Sequence, residues 1–194
     1  MCVTHFLQLK IRLPQVVSFF VYAALTQAVL GCITSLLGAV APEWVITEHG
    51  FKAGLLFACN NTCEAFAAEG SMLASKVAVV MAFFFAVAGA VALLIYYVRF
   101  FRQHITHKSL PLISALLCFI AVVLDVAGVS FFAAMGKSEA EAALGSPATP
   151  GYAFILTIIA GVILACAVIS SLLHRCGLVE ISGDMELEHR GHQY

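Results

Sequence analysis

The chain has 194 residues, 62% of them hydrophobic and 11% charged, with a formal net charge of −1. An ordinary soluble domain is about a quarter charged, so this little polar surface excludes a water-soluble globule. The near-neutral charge and the scatter of its ten Lys and Arg leave no basic field to gather nucleic acid, which excludes that class of partner.

A hydrocarbon core about 30 Å thick needs roughly 20 apolar residues in a helix. Four segments meet this length. The first predicted span covers residues 14–40, with Pro14 in its first turn, where a missing N–H forfeits no helical bond. Ala39-Val40-Ala41 has the small-x-small form of a signal-peptide cleavage site. The apolar run is nevertheless longer than the roughly 7–15 residues of a signal core, and Pro42 would directly follow the cut, so the helix is read as retained. The second span runs over 77–98, the third over 110–134 around Asp125, and the fourth over 153–173. The expectation is an all-α integral membrane protein, a single four-span bundle with connecting segments 41–75 and 136–151 and a tail at 174–194.

Four spans leave both termini on one side. That side and the loop after the second span carry Lys10, Arg12, Arg99, Arg102, Lys108, Arg175 and Arg190, against Lys52, Lys76 and Lys137 opposite. The positive-inside rule then predicts cytoplasmic termini and outward-facing segments 41–75 and 136–151.

This orientation gives two cysteines a meaning. Cys59 and Cys63 fall in the first outward segment, where an oxidising lumen favours disulfides. Alpha carbons must come within about 4.4–6.8 Å, so the chain has to reverse between them, and Asn60-Asn61-Thr62 suits such a turn. A disulfide is preferred over a metal pair or two free thiols, since only His49 stands near to extend a zinc set. The same three residues form a glycosylation sequon at Asn60.

Trp44, Gly54-Leu55, Cys59 and Cys63, in that order and in that loop, resemble the W…GLW…C…C signature of the claudin, peripheral myelin protein and epithelial membrane protein superfamily. Gly151-Tyr152-Ala153-Phe154 at the fourth span is similar to the glycine-aromatic entry of that helix in the myelin and epithelial branch. The likeness covers the topology of nearly the whole chain but only about twenty residues of motif. Leu56 stands where the signature has its second tryptophan, the Cys59 to Cys63 interval is short, and so is the spacing from Trp44 to Leu56. A divergent member is the reading that fits. The resemblance implies a small extracellular antiparallel sheet built from both outward segments. It also implies a non-enzymatic role in cell contact, junction or barrier organisation, with self-association or related tetraspan partners in cis or trans. Calcium-channel gamma subunits share the signature, which implies the alternative of an ion-channel auxiliary subunit.

Individual residues add further expectations. Trp44, just past the first span, is expected at the headgroup layer, with Leu55, Leu56 and Phe57 dipping to the same boundary and anchoring the loop. Gly31 and Gly38, then Ala86, Gly89 and Ala90, then Ala160, Gly161 and Ala165 are small residues suited to close helix approach. Asp125 is an intramembrane acid with no Lys or Arg in any apolar core; a packing role, with a hydrogen bond between neutral Asp125 and Gln27, is preferred over transport chemistry. Cys176, at the cytoplasmic boundary, is a palmitoylation candidate, and Cys2 a more distant one. The tail is acidic, and its end, His192-Gln193-Tyr194, offers a weak match to PDZ recognition. No phosphate loop, zinc-protease helix or serine elbow is present, and the Cys59–Cys63 spacing differs from the two-residue separation of thiol oxidoreductases. No enzyme activity, metal or cofactor is expected, and the bilayer itself is the constant partner.

Overall fold

The computed structural model describes the backbone over residues 2–47, 52–59, 63–65, 70–103, 109–144 and 147–191, and side chains over 19–47, 52–57, 59, 70–100, 109–139, 141–142, 147 and 149–176. In chain order the elements are α1 (Cys2–Val40), β1 (Val45–Thr47), β2 (Lys52–Ala53), β3 (Phe57–Cys59), β4 (Cys63–Ala65), α2 (Gly70–Gln103) and α3 (Ser109–Phe131). A π-helical turn (Phe132–Gly136) follows, then α4 (Lys137–Leu144), β5 (Ala148–Pro150) and α5 (Tyr152–Gly191). Four stretches are long and apolar enough to cross a membrane: Phe19–Val40, Gly70–Phe100, Ser109–Glu139 and Tyr152–Cys176. They fit a four-span membrane protein.

Small side chains are common at the enclosed positions of the bundle and many large ones face outward, although Leu93, Tyr96 and Leu164 are enclosed as well. Ala24, Ala28, Ala82, Ala86, Ala121, Ala160 and Ala167 are fully enclosed, whereas Phe19 is 67% exposed, Phe84 60% and Leu116 58%. Between helices in lipid there is no hydrophobic driving force, so small side chains gain by letting backbones approach and large ones gain nothing by turning inward. Of the expected small residues, Gly31, Gly38, Gly89, Ala86 and Ala160 sit at these approaches, whereas Gly161 does not meet a close neighbour. A methyl group on Gly31 would lie 2.6 Å from Leu164, one on Gly38 2.5 Å from the Thr157 hydroxyl, and one on Gly89 2.7 Å from Cys118 Sγ. The spans form a ring in which α1 packs on α5 and α2, and α3 packs on α2 and α5. Hence α1 and α3 stand across the ring from each other.

The helices outrun the apolar spans. Pro14 lies well inside α1 rather than in a first turn, α2 begins at Gly70 rather than near 77, and α5 continues past 173 to Gly191. Hydropathy measures the thickness of hydrocarbon, while helical hydrogen bonding continues into water, so the two limits need not coincide. The segment expected as loop from 136 is largely helical too. The π turn and α4 carry Glu139 to the start of α2, where Ser71 N–H donates to its Oε2 at 3.1 Å and Met72 N–H at 3.4 Å. These are first-turn donors with no partner inside the helix, and a carboxylate suits the positive helix end.

Over one end of the bundle lies a five-stranded antiparallel sheet of order β4-β3-β2-β1-β5. Its strands are two or three residues long. β1 pairs with β5 through Val45–Pro150, Ile46–Thr149 and Thr47–Ala148, so the segment after α1 and the segment before α5 share one sheet. β3 and β4 form its far edge, with Cys59 opposite Cys63.

Candidate functional site

Trp44 is where the sheet meets the bundle. α1 closes as Ala41 N–H donates to Leu37 O at 2.9 Å, and the chain then turns so that Trp44 N–H donates to Ala53 O at 3.0 Å and Gly151 N–H donates to Trp44 O at 2.9 Å. The indole swings back under this junction. Its Nε1–H donates to Gly38 O at 2.6 Å, one of the last four carbonyls of α1, which no helical N–H can reach. Phe132 of the π turn and Phe154 of α5 pack edge-on against the ring, with centroids 5.2 and 5.7 Å away. Trp44, Leu55 and Phe132 are almost completely enclosed, in a cluster with Ala39, Val45, Ala53, Met72, Val79 and Ala153.

Trp44 and Leu55 are therefore enclosed by protein and do not face lipid headgroups. The expectation from interfacial preference is corrected in this respect because the indole N–H finds a protein carbonyl and its ring packs against two aromatic side chains. Leu56 is half-buried and Phe57 is 39% exposed, so of the quoted apolar run only Phe57 turns outward.

Two glycines make the junction sterically feasible. A methyl group on Gly54 would lie 2.5 Å from Ala41 O and 2.8 Å from Pro42 Cα, and one on Gly151 would lie 2.0 Å from Glu43 O. The backbone of residues 41–43 thus runs between Gly54 and Gly151. Glu43 and Lys52 form an ion pair beside it, and the hydrogen bond to that carboxylate holds the Lys52 ammonium above its ordinary pKa. Sequence reading found Trp44, Gly54 and Leu55 but not Phe132, whose role depends on a π turn that hydropathy does not reveal.

Cys59 is buried and is not one of the free cysteines, which among the described residues are Cys32, Cys118, Cys166 and Cys176. The side chain of Cys63 and the whole of Asn60 lie outside the described residues, as do the side chain of Cys2 and the end of the tail at 192–194. Cys176 is exposed at the end of the fourth candidate span. Among the described residues no cluster of three or more His, Cys, Asp or Glu is placed to hold a metal.

Asp125 and Gln27 do not meet. Gln27 Oε1 accepts from Ser170 Oγ at 2.9 Å, joining α1 to α5, because α3 lies across the ring from α1. Asp125 is buried at 1% exposure, and neither of its carboxyl oxygens has a hydrogen-bond partner. It lines a groove of about 330 Å³ between α3 and α5 with Val126, Thr157, Ile158, Gly161 and Val162. A second buried polar contact had no sequence signal: Tyr96 Oη and His174 Nε2 lie 2.7 Å apart, joining α2 to α5 at the end away from the sheet.

No protein-family model matches the chain. No characterised protein matches it in sequence. The functional reading therefore rests on the motif and on this geometry.

Proposed function

We propose that the protein is a divergent member of the claudin, peripheral myelin protein and epithelial membrane protein superfamily, a non-enzymatic component of cell contacts, junctions or barriers at the plasma membrane. The observation that carries this reading is the Trp44 junction. The motif residues Trp44, Gly54 and Leu55 converge on one enclosed point that fixes a sheet shared by both interhelical segments. In this reading the sheet faces outward, both termini are cytoplasmic, and Cys59 and Cys63 are bonded, their cross-strand register bringing the backbones to the separation a disulfide uses. A rigid, small outward sheet is then the surface that meets like proteins in the same or the facing membrane. Asn60 is its glycosylation site and Cys176 its palmitoylation site. A second reading, an auxiliary subunit of an ion channel, is favoured by one observation: the unpartnered acid in the groove between α3 and α5.

The deciding experiment images a tagged copy in contacting cells and measures paracellular permeability with and without it. Concentration at contacts with altered permeability, and no channel in the pull-down, supports the junction reading. Diffuse surface distribution with stoichiometric recovery of a channel would replace it with the auxiliary one.

A further inference from the structure

The acid-bearing groove between α3 and α5 is separate from the Trp44 junction. Its floor is Asp125, which is almost wholly enclosed and has both oxygens unpartnered, against the general rule that buried polar groups find partners. Its rim residues Val126, Ile158 and Val162 are exposed on the outside of the bundle, so the groove opens sideways, in the direction from which another membrane-embedded group would approach. Gly161 keeps it open: a methyl group there would meet only Asp125 Cβ, at 3.8 Å. The helical glycines Gly31, Gly38 and Gly89, by contrast, are each filled by a neighbouring side chain.

Depth and charge say what fits. Asp125 is sixteen residues beyond Ser109 in the Ser109–Glu139 span, about 24 Å along a helix rising about 1.5 Å per residue, and seven before the π turn at Phe132, about 10 Å by the same rise. Gly161, opposite it, is nine residues into α5. Headgroup donors lie at the membrane interface and do not reach this depth. A donor at that level has to ride on a helix that itself crosses the membrane. The chain's own spans carry no Lys or Arg over 19–40, 77–98, 109–136 or 152–174, and His174, at the end of the last of these, is enclosed against Tyr96, so a second copy brings no cation to match the acid. Charged side chains within a membrane pair with one another.

We infer that the groove between α3 and α5 docks a transmembrane helix of a different protein, one bearing a lysine or arginine near its midpoint that pairs with Asp125. The inference holds whether or not the outward sheet works at junctions.

The test uses the full chain, co-expressed with a designed single-span helix of leucine and alanine carrying one central lysine, and with a twin whose central residue is leucine. Co-purification from mild detergent should favour the lysine helix by at least roughly fivefold, the scale of an interhelical polar contact in membranes. Asp125→Asn should lose that excess while reaching the cell surface as the parent does, and Gly161→Leu, which fills the groove and leaves the acid in place, should lose it too. Equal recovery of the two probes by the parent chain overturns the inference, and that comparison needs no variant to fold. Retention of the lysine excess by Asp125→Asn also overturns it. So does cross-linking between two copies of the chain that depends on Asp125 and is not displaced by the lysine helix, since the occupant would then be a second copy. None of these results bears on the permeability measurement that tests the junction reading.

Discussion

The indole of Trp44 donates its N–H to the carbonyl of Gly38, 2.6 Å away, so the side chain that plugs the sheet onto the bundle also closes the last turn of α1. One residue thereby serves two needs: the ring fills the space bounded by Phe132 and Phe154, and the N–H satisfies a helix-end carbonyl that is shut away from water.

Trp44→Phe separates these roles. Most of the ring packing survives, but Gly38 O is left without its donor in an enclosed place, and the expected loss is about 1–3 kcal/mol. Trp44→Ala removes both and should cost about 3–5 kcal/mol. Thermal unfolding in detergent, followed by a thiol-reactive dye that reports exposure of the buried Cys118 once the exposed Cys166 and Cys176 have been capped in the folded protein, would rank the three proteins. Equal midpoints for Trp44→Phe and the parent would show that the hydrogen bond contributes nothing.

The glycines should divide sharply. Gly54→Ala and Gly151→Ala place a methyl group against backbone that is held by hydrogen bonds on both sides, so each should lose at least about 1–3 kcal/mol, the usual cost of overpacking. Gly161→Ala meets only an ordinary van der Waals contact and should be neutral or gain up to about 1 kcal/mol from the better helix propensity of alanine. The same dye assay reads all three. A tolerated Gly151→Ala would contradict the closeness of residues 43 and 151.

Bonding of Cys59 to Cys63 predicts a non-reduced peptide spanning both residues that is lighter by two hydrogens than its reduced form. Each Cys→Ala variant should be delivered poorly to the surface, and to the same extent as the double variant, because either change removes the one bond. Free alkylation of both thiols in the native protein would refute the pairing.

Orientation follows from the distribution of Lys and Arg. Epitopes at Met1 and Tyr194 should stain only after permeabilisation, and one inserted beside the exposed Ala142 of α4 should stain on intact cells. Surface staining of either terminus would invert the outward sheet assumed in the proposed function.

Membrane physics makes some features of this chain legible without any structure. Hydrocarbon thickness demands a minimum apolar length, so the four spans can be counted in the sequence, and the need for close approach singles out Gly31, Gly38 and Gly89. Motif order marks Trp44 and Gly54 as special, although the direction in which Trp44 turns is not local information. Interfacial preference sends its indole to the headgroups. The structure sends it to Gly38 because Phe132 and Phe154, 88 and 110 residues later, close a pocket there.

Longer-range relations needed the tertiary structure for the same reason. Strands of two or three residues are too short for period-2 patterning to register, and the β1–β5 pairing joins residues about a hundred positions apart. Gln27 and Asp125 look compatible on a depth scale but belong to helices on opposite sides of the ring, so Gln27 pairs with Ser170 and Asp125 is left without a hydrogen-bond partner beside a groove. Depth along a membrane helix follows from counting residues. Which helices are neighbours, and what each polar side chain therefore meets, follows only from how the four pack.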